Sequence, residues 1–331
     1  TYPMRDFVFT EMSASHEFEC ERISVLSAVA ANSCDVVLTT PDAAVQYTMP
    51  WDVLSARTFE INESSTVDTE KIAETLLDCG YVRVPMVDSP GQFSQRGDIL
   101  DIFPPNTDDP VRIETFGEEI DRISSFDVMT QRRIDGLTRI VISPVREVIP
   151  DAAVKKSLAE AIRQRIKKAK EDSVKNVCRG ELEKLESGRE LLSIDKYISF
   201  IYPQKQCLTD YFSPESTVFV QDYNGVVDRL HSYVFRENES FLKLLEDGIV
   251  DPGYSRHYAD ENIFAEYIKT KRTLILNTFT VSMGGMELSD IYPIPSRPTA
   301  GFADDPSALY EELDNYLGSH YKIRVLCDSG Q

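Results

Sequence analysis

The residues of this chain best suited to chemistry form a charged and aromatic strand rather than a catalytic set. Val111-Arg112-Ile113-Glu114-Thr115-Phe116 alternates, so Val111, Ile113 and Thr115 share one face while Arg112, Glu114 and Phe116 share the other. A guanidinium fork takes a carboxylate bidentately and a phenylalanine fills a pocket, so such a face suits protein binding. Two readings stand side by side. One is a half-buried strand whose Phe116 tucks beneath a neighbouring loop; the other is a binding strand whose Phe116 is covered by a partner.

Catalytic patterns are missing from the sequence. It holds no Gly-x-x-x-x-Gly-Lys-Ser/Thr loop, and the double glycine of Met283-Gly284-Gly285-Met286 is not followed by a lysine that reaches phosphate. His16, His231, His257 and His320 are isolated, with no HExxH or GxSxG setting around them. The cysteines at 20, 34, 79, 178, 207 and 327 form no CxxC pair and read as reduced, mostly structural thiols, so no metal site is expected. Arg96-Gly97-Asp98 reads as a turn.

Composition sets the class. With 331 residues, 42% hydrophobic and 27% charged, the chain is expected to be a globular protein of two to three domains. Its net charge of -20 repels a phosphate backbone, so little or no direct DNA binding is expected. The exception is one helix, 151–172, which carries Lys155, Lys156, Arg163, Arg165, Lys167, Lys168 and Lys170 around the apolar stripe Val154, Leu158, Ile162, Ile166 and Ala169. A solvated surface face is the plainer reading of that cluster. No cationic, apolar leader opens the chain and no run of 18 apolar residues interrupts it, which points to a cytoplasmic protein without a membrane partner.

Taken in order, residues 15–31 form a helix, Asp35 to Thr40 a buried strand, and Pro41 opens a further helix, a β-then-α order belonging to an α/β layer. Thr58 to Ile61 is a strand, and Val67 to Asp78 is a helix ended by Gly80. Strands follow at 81–87, 99–103, 111–116, 120–126 and 137–142: about six strands and one helix, a small α+β domain. Beyond the basic helix, 197–202, 217–220 and 273–277 read as strands, 225–233 and 240–246 as helices. Pro293 to Pro298 reads as a linker, 306–318 as a helix and 322–327 as a strand.

The run from Gly91, with RGDILDIFPP, then PVRIETFGEEIDRISSFD, then TQRR, resembles the module shared by the UvrB and Mfd families of nucleotide-excision repair. The lead-in GYVRVPMVDSPGQFS, the DVMTQRR continuation and the ISPVRE exit at Ile142 to Glu147 are similar to the Mfd family, the transcription-repair coupling factors. One departure is Thr115, where that family carries a second aromatic beside Phe116. The resemblance implies an α/β fold: an incomplete helicase-like α/β domain (1–56 and 151–290), interrupted by a UvrB-type α+β interaction domain (57–150) and followed by a partial third α/β domain (291–331). In that setting the strand at 217–220 would carry a helicase's magnesium-binding acid. Here it continues as Gln221-Asp222-Tyr223-Asn224, and the lone Asp222 reads as a turn residue.

The resemblance further implies a non-catalytic docking role toward UvrA. Family contact positions fall on Arg96, Arg112 and Phe116, with Asp98, Glu114, Glu118 and Arg122 as rim candidates. ATP and magnesium are expected only in motor domains outside this sequence, as are contacts to DNA and RNA polymerase. Two other classes remain open: a degenerate UvrB-like helicase, ATPase or nuclease fragment, and an autoinhibitory scaffold contacting its own motor domains.

Overall fold

The computed structural model describes residues 1–10, 16–251, 253, 256–260, 262–279, 288–295 and 306–324. The helices are α1 (Glu17–Ala30), α2 (Pro41–Val45), α3 (Trp51–Arg57), α4 (Thr69–Asp78), α5 (Ala152–Lys168), α6 (Asp172–Ser187), α7 (Ile198–Ile201), α8 (Tyr223–Glu246), α9 (Asn262–Thr270) and α10 (Pro306–Gly318). The strands are β1 (Tyr47–Thr48), β2 (Phe59–Asn62), β3 (Val82–Arg83), β4 (Gln92–Arg96), β5 (Ile99–Ile102), β6 (Val111–Phe116), β7 (Glu119–Phe126), β8 (Arg133–Leu137), β9 (Arg139–Ile142), β10 (Gln206–Cys207), β11 (Thr217–Gln221) and β12 (Arg272–Leu276). The chain divides into two compact units, 1–283 and 284–331; the described helix of the second is α10.

The mixed α/β class expected from sequence is what the chain adopts. Its central feature is a six-stranded sheet in the order β3-β4-β5-β6-β7-β8, antiparallel except for the β3–β4 pair. Alternation sends Phe93, Leu100, Ile102, Val111, Ile113 and Ile123 to its inner face, where they pack with Ala73 and Leu76 of α4 and with Ile61, Ile140 and Ile142 of the β2–β9 ribbon. Helix α4 is placed by its ends. The Asp68 carboxylate accepts from the N–H groups of Glu70 and Lys71. At the other end Tyr81 N–H returns to Leu76 C=O and Gly80 N–H to Leu77 C=O, a Schellman closure. Gly80 sits at φ +88°, and a Cβ there would lie 2.4 Å from Cγ of Arg146, so both conformation and space demand glycine.

A separate core unites residues early and late in the chain: Tyr2, Ile23, Leu26, Met49 and Leu54 pack with Leu158, Ile162, Tyr197, Ile198 and Leu208. Buried charges stitch the same region. Arg5 holds Asp195 through two nitrogens at 2.9 and 3.1 Å, and Arg22 donates to Glu147 at 2.9 Å and to Gln46 at 2.9 Å. Glu147 is also where the sheet module hands the chain back, so the module's exit is anchored by a paired, hydrogen-bonded carboxylate.

Several sequence expectations change. Asp35 to Thr40 is not a buried strand: apart from a bridge between Tyr2 and Thr39 it has no ladder among the described residues, and Val36 and Leu38 lie 75% and 64% exposed. The helix expected over 151–172 stops at Lys168, because Ala169 turns to ψ 133°, and α6 then packs back against α5. Tyr197 to Tyr202 is a 3-10 turn leading into α7, not a strand. A short apolar run carries no period that separates the two, and burial of Tyr197, Ile198 and Ile201 decided it. The helices at 225–233 and 240–246 are parts of the single α8. The module holds eight strands rather than about six, since β8 and β4, whose last residue Arg96 read as turn, went unseen. Lys322 to Arg324 carry no strand; the rest of that expected strand, the end of the linker at 296–298, and Met283 to Met286 lie outside the described residues.

Candidate protein-docking site

Strand register lines up the outer face of the six-stranded sheet in two rows. Ser94, Asp101, Arg112, Ser124 and Gly136 are successive cross-strand partners, and beside them run Arg96, Ile99, Glu114 and Arg122. The β4–β5 hairpin turns on Gly97-Asp98 with Gly97 at φ +59°, the position a type II′ turn reserves for glycine, and this leaves Arg96 at the strand's end. In β6–β7 the register slips between Glu114 and Thr115, making Asp121 an extra residue, and the strands then close through Gly117 at φ +65°. Thr115 turns inward, its hydroxyl donating to the Asp98 carbonyl, so it adds nothing to the outer surface.

Asp101 is the electrostatic centre of this face. It is 1% exposed, and its two oxygens take Nε of Arg112 at 2.6 Å and Nη2 at 2.8 Å, while Nη2 of Arg96 reaches it at 3.1 Å. The Arg112 guanidinium also stacks 4.5 Å over the ring of Phe126. Hydrogen bonding to Asp101 holds Arg112 above its ordinary pKa, so it stays a cation. Beside it Glu114 is ion-paired with Arg133.

The sequence-derived residues therefore fall into different situations. Phe116 is 82% exposed, so no loop among the described residues covers it. Arg96 is half exposed, with Nη2 on Asp101. Arg112 is a correction: the face is the one alternation gave, but its guanidinium is only 15% exposed and already spent on Asp101, so it is part of the fold as well as of the surface. Asp98, Glu118 and Arg122 are exposed around the hairpin ends, and Glu114 is engaged by Arg133. Asp101, Phe126, Gln131 and Arg133 escaped sequence reasoning; the one signal was an acid interrupting the apolar run Ile99 to Phe103, whose arginine partner only the β5–β6 register reveals.

Other candidates dissolve into structure. Arg163 of the basic helix pairs with Glu160 and Glu186, and Arg165 donates to the carbonyls of Gly248 and Val250, leaving the lysines on the solvent side. His16 meets Glu19 and buried His257 meets Glu237, each at 3.0 Å. Asp222 caps α8 from φ +55°, accepting from the Gly225 N–H. Burial pushes the Cys20 thiol up to about 12 and the Cys79 thiol to about 11, so neither is a nucleophile. Among the described residues no cluster of His, Cys, Asp and Glu could hold a metal, and no helix is long and apolar enough to cross a membrane.

The sheet with this charged outer face defines a class: residues 59–147 match the UvrB interaction domain family. Over its whole length the chain is similar to transcription-repair-coupling factors: 27% identical to that of Bacillus subtilis strain 168 across 98% of this chain. It is 26% identical to the one from Staphylococcus haemolyticus strain JCSC1435 across 99%, and 24% to that of Staphylococcus aureus strain MRSA252 across 99%. The resemblance to the UvrB-homology region of the Mfd family thus stands. The chain spans 28% of the length of each of these relatives.

Proposed function

We propose that residues 59–147 dock UvrA through the outer face of the six-stranded sheet, with Phe116 as the aromatic anchor and Arg96 and Arg112 as the charged contacts. Asp98, Glu114, Glu118 and Arg122 form the rim. In the longer protein this docking recruits UvrA, and with it nucleotide-excision repair, to stalled RNA polymerase; the polymerase, DNA and ATP are handled by parts outside this sequence. The chain itself does no chemistry and acts in the cytoplasm.

The observation that supports this reading is Phe116, a phenylalanine 82% exposed at the end of a hairpin whose neighbouring arginine fork is pre-oriented by a buried carboxylate. An exposed aromatic on the same strand as an arginine held by a carboxylate brings together residue types enriched in interface hot spots. The test measures UvrA affinity and melting temperature of Phe116→Ala and Arg96→Ala. Each is expected to weaken UvrA binding by about 2 kcal/mol, roughly thirtyfold, with the melting temperature unchanged in Phe116→Ala and lowered by no more than about 2 °C in Arg96→Ala. Full UvrA affinity in both variants would defeat the proposal.

A further inference from the structure

On the inner side of the same module, away from the charged face, an open groove of about 810 Å³ runs between β2 and α4. Phe59, Glu60 and Ile61, three consecutive residues of β2, all line it, as they would along a strand's edge rather than its face. The register agrees. Glu63 N–H donates to Thr138 C=O, so in the antiparallel ladder Ile61 and Phe59 also point their backbone groups at β9. The N–H and C=O of Glu60 then point away from β9, into the groove, and meet no partner strand among the described residues. The opposite wall is one stripe of α4, with Lys71, Ile72, Thr75 and Asp78 at helical spacing.

The charges in the groove are unbalanced. Its cations are committed: Lys71 pairs with Asp68 at 3.1 Å, and Arg57 donates to the carbonyls of Asp78 and Ile149 at 3.1 and 3.3 Å. The carboxylates of Asp78 and Glu118, at its two ends, form no ion pair among the described residues. Between them the floor is apolar, made by Ile61, Val67 and Cys79.

We infer that this groove receives an extended, lysine- or arginine-bearing segment of a partner protein, which adds to the edge of β2 as a further strand. A strand turns alternate side chains to opposite sides, so aliphatic residues of the segment settle on the Ile61–Val67 floor while the cations between them reach Asp78 and Glu118. The outward groups of Asn62 are taken by Ser65, its N–H donating to Ser65 Oγ at 3.1 Å and its carbonyl accepting from Ser65 N–H at 2.8 Å, so the segment pairs through Glu60, over about three residues at about 3.3 Å each. Because α4 and β2 pack on the inner face of the sheet, the groove shares with the outer-face reading only Glu118, and variants at Thr75 and Asp78 test it apart from that reading.

The probe is a blocked, fluorescent hexapeptide of alternating lysine and valine, titrated into the full chain at moderate salt and read by anisotropy. Saturable binding is expected, weakened about tenfold or more when Thr75→Lys and Asp78→Lys are combined, and lost when a central valine of the peptide is replaced by proline, which has no N–H for the ladder. Both positions are exposed, and a cation at the last residue of α4 suits the helix dipole, so the helix persists; melting temperature checks this. Glu239→Lys on the exposed face of α8 should leave binding unchanged. A glutamate-valine peptide that binds equally well, a proline peptide that binds equally well, or an equal loss in Glu239→Lys would each overturn the inference.

Discussion

Replacing Arg112 by alanine should destabilise the module, although the residue lies on a surface strand. The change removes two hydrogen bonds, at 2.6 and 2.8 Å, from a carboxylate that is 1% exposed, together with the stacking on Phe126. Removing one partner of a buried pair typically costs about 3 to 5 kcal/mol, mostly because the remaining charge is left unsatisfied. Arg96 still reaches Asp101 at 3.1 Å and recovers part of this, which places the expected loss near 3 kcal/mol. For a chain of 331 residues that corresponds to about 4 °C in melting temperature. Arg96→Ala, removing only a half-exposed partner, should cost about 1 kcal/mol or less. The assay is thermal and urea unfolding of Arg112→Ala, Asp101→Val, and the pair Asp101→Val with Arg112→Leu. The pair removes both charges together and should be much closer to the parent than either single change, a coupling of about 2 kcal/mol or more. An Arg112→Ala variant within about 0.5 kcal/mol of the parent would refute the reasoning. The result bears on function, because lost UvrA binding in Arg112→Ala mixes a missing contact with a disturbed sheet, whereas Phe116→Ala and Arg96→Ala separate them.

Gly80→Ala should cost about 2 kcal/mol in urea unfolding, since φ +88° and the approach of Arg146 both exclude a Cβ; an unchanged midpoint would contradict this. Burial alone would raise the pKa of Glu19, but Arg5, the His16 bond, Arg146 and the Glu147 N–H together hold its carboxyl down to about 2. The unfolded chain takes up that proton nearer pH 4.3, so the stability Glu19 supplies is complete above about pH 4.5 and is lost as pH falls toward 2. Glu19→Gln should therefore show a shallower loss of stability below about pH 4.5 than the parent, and parallel curves would disprove the role. The chain should bind duplex DNA weakly at physiological salt, given its charge of -20; submicromolar binding abolished by changing Lys167, Lys168 and Lys170 to Glu would overturn that. Calorimetry with magnesium and ATP should show no saturable site, since the sequence offers no phosphate loop, and a micromolar site would prove otherwise.

The sequence by itself determined whatever depends on local period or on one residue's conformational demands. Alternation from Val111 to Phe116 assigned the inner and outer faces of β6, glycine at 80 ended α4, and Gly97-Asp98 marked a turn before β5, although the strand leading into it, β4, went unread. Where period was ambiguous it failed. The run Tyr197 to Tyr202 became helix, and Asp35 to Thr40 lost its strand, because burial and partner strands lie far away in sequence. Likewise the outer face could be named from the chain, but not what holds it. That Arg112 is committed to Asp101 follows from the β5–β6 register, that Phe116 is uncovered follows from the absence of any neighbouring loop over the β6–β7 hairpin end among the described residues, and that Glu60 turns its backbone groups away from a partner strand follows from the β2–β9 register. Each of these is a pairing between residues distant along the chain, and such pairings are fixed only when the core on the sheet's inner face closes.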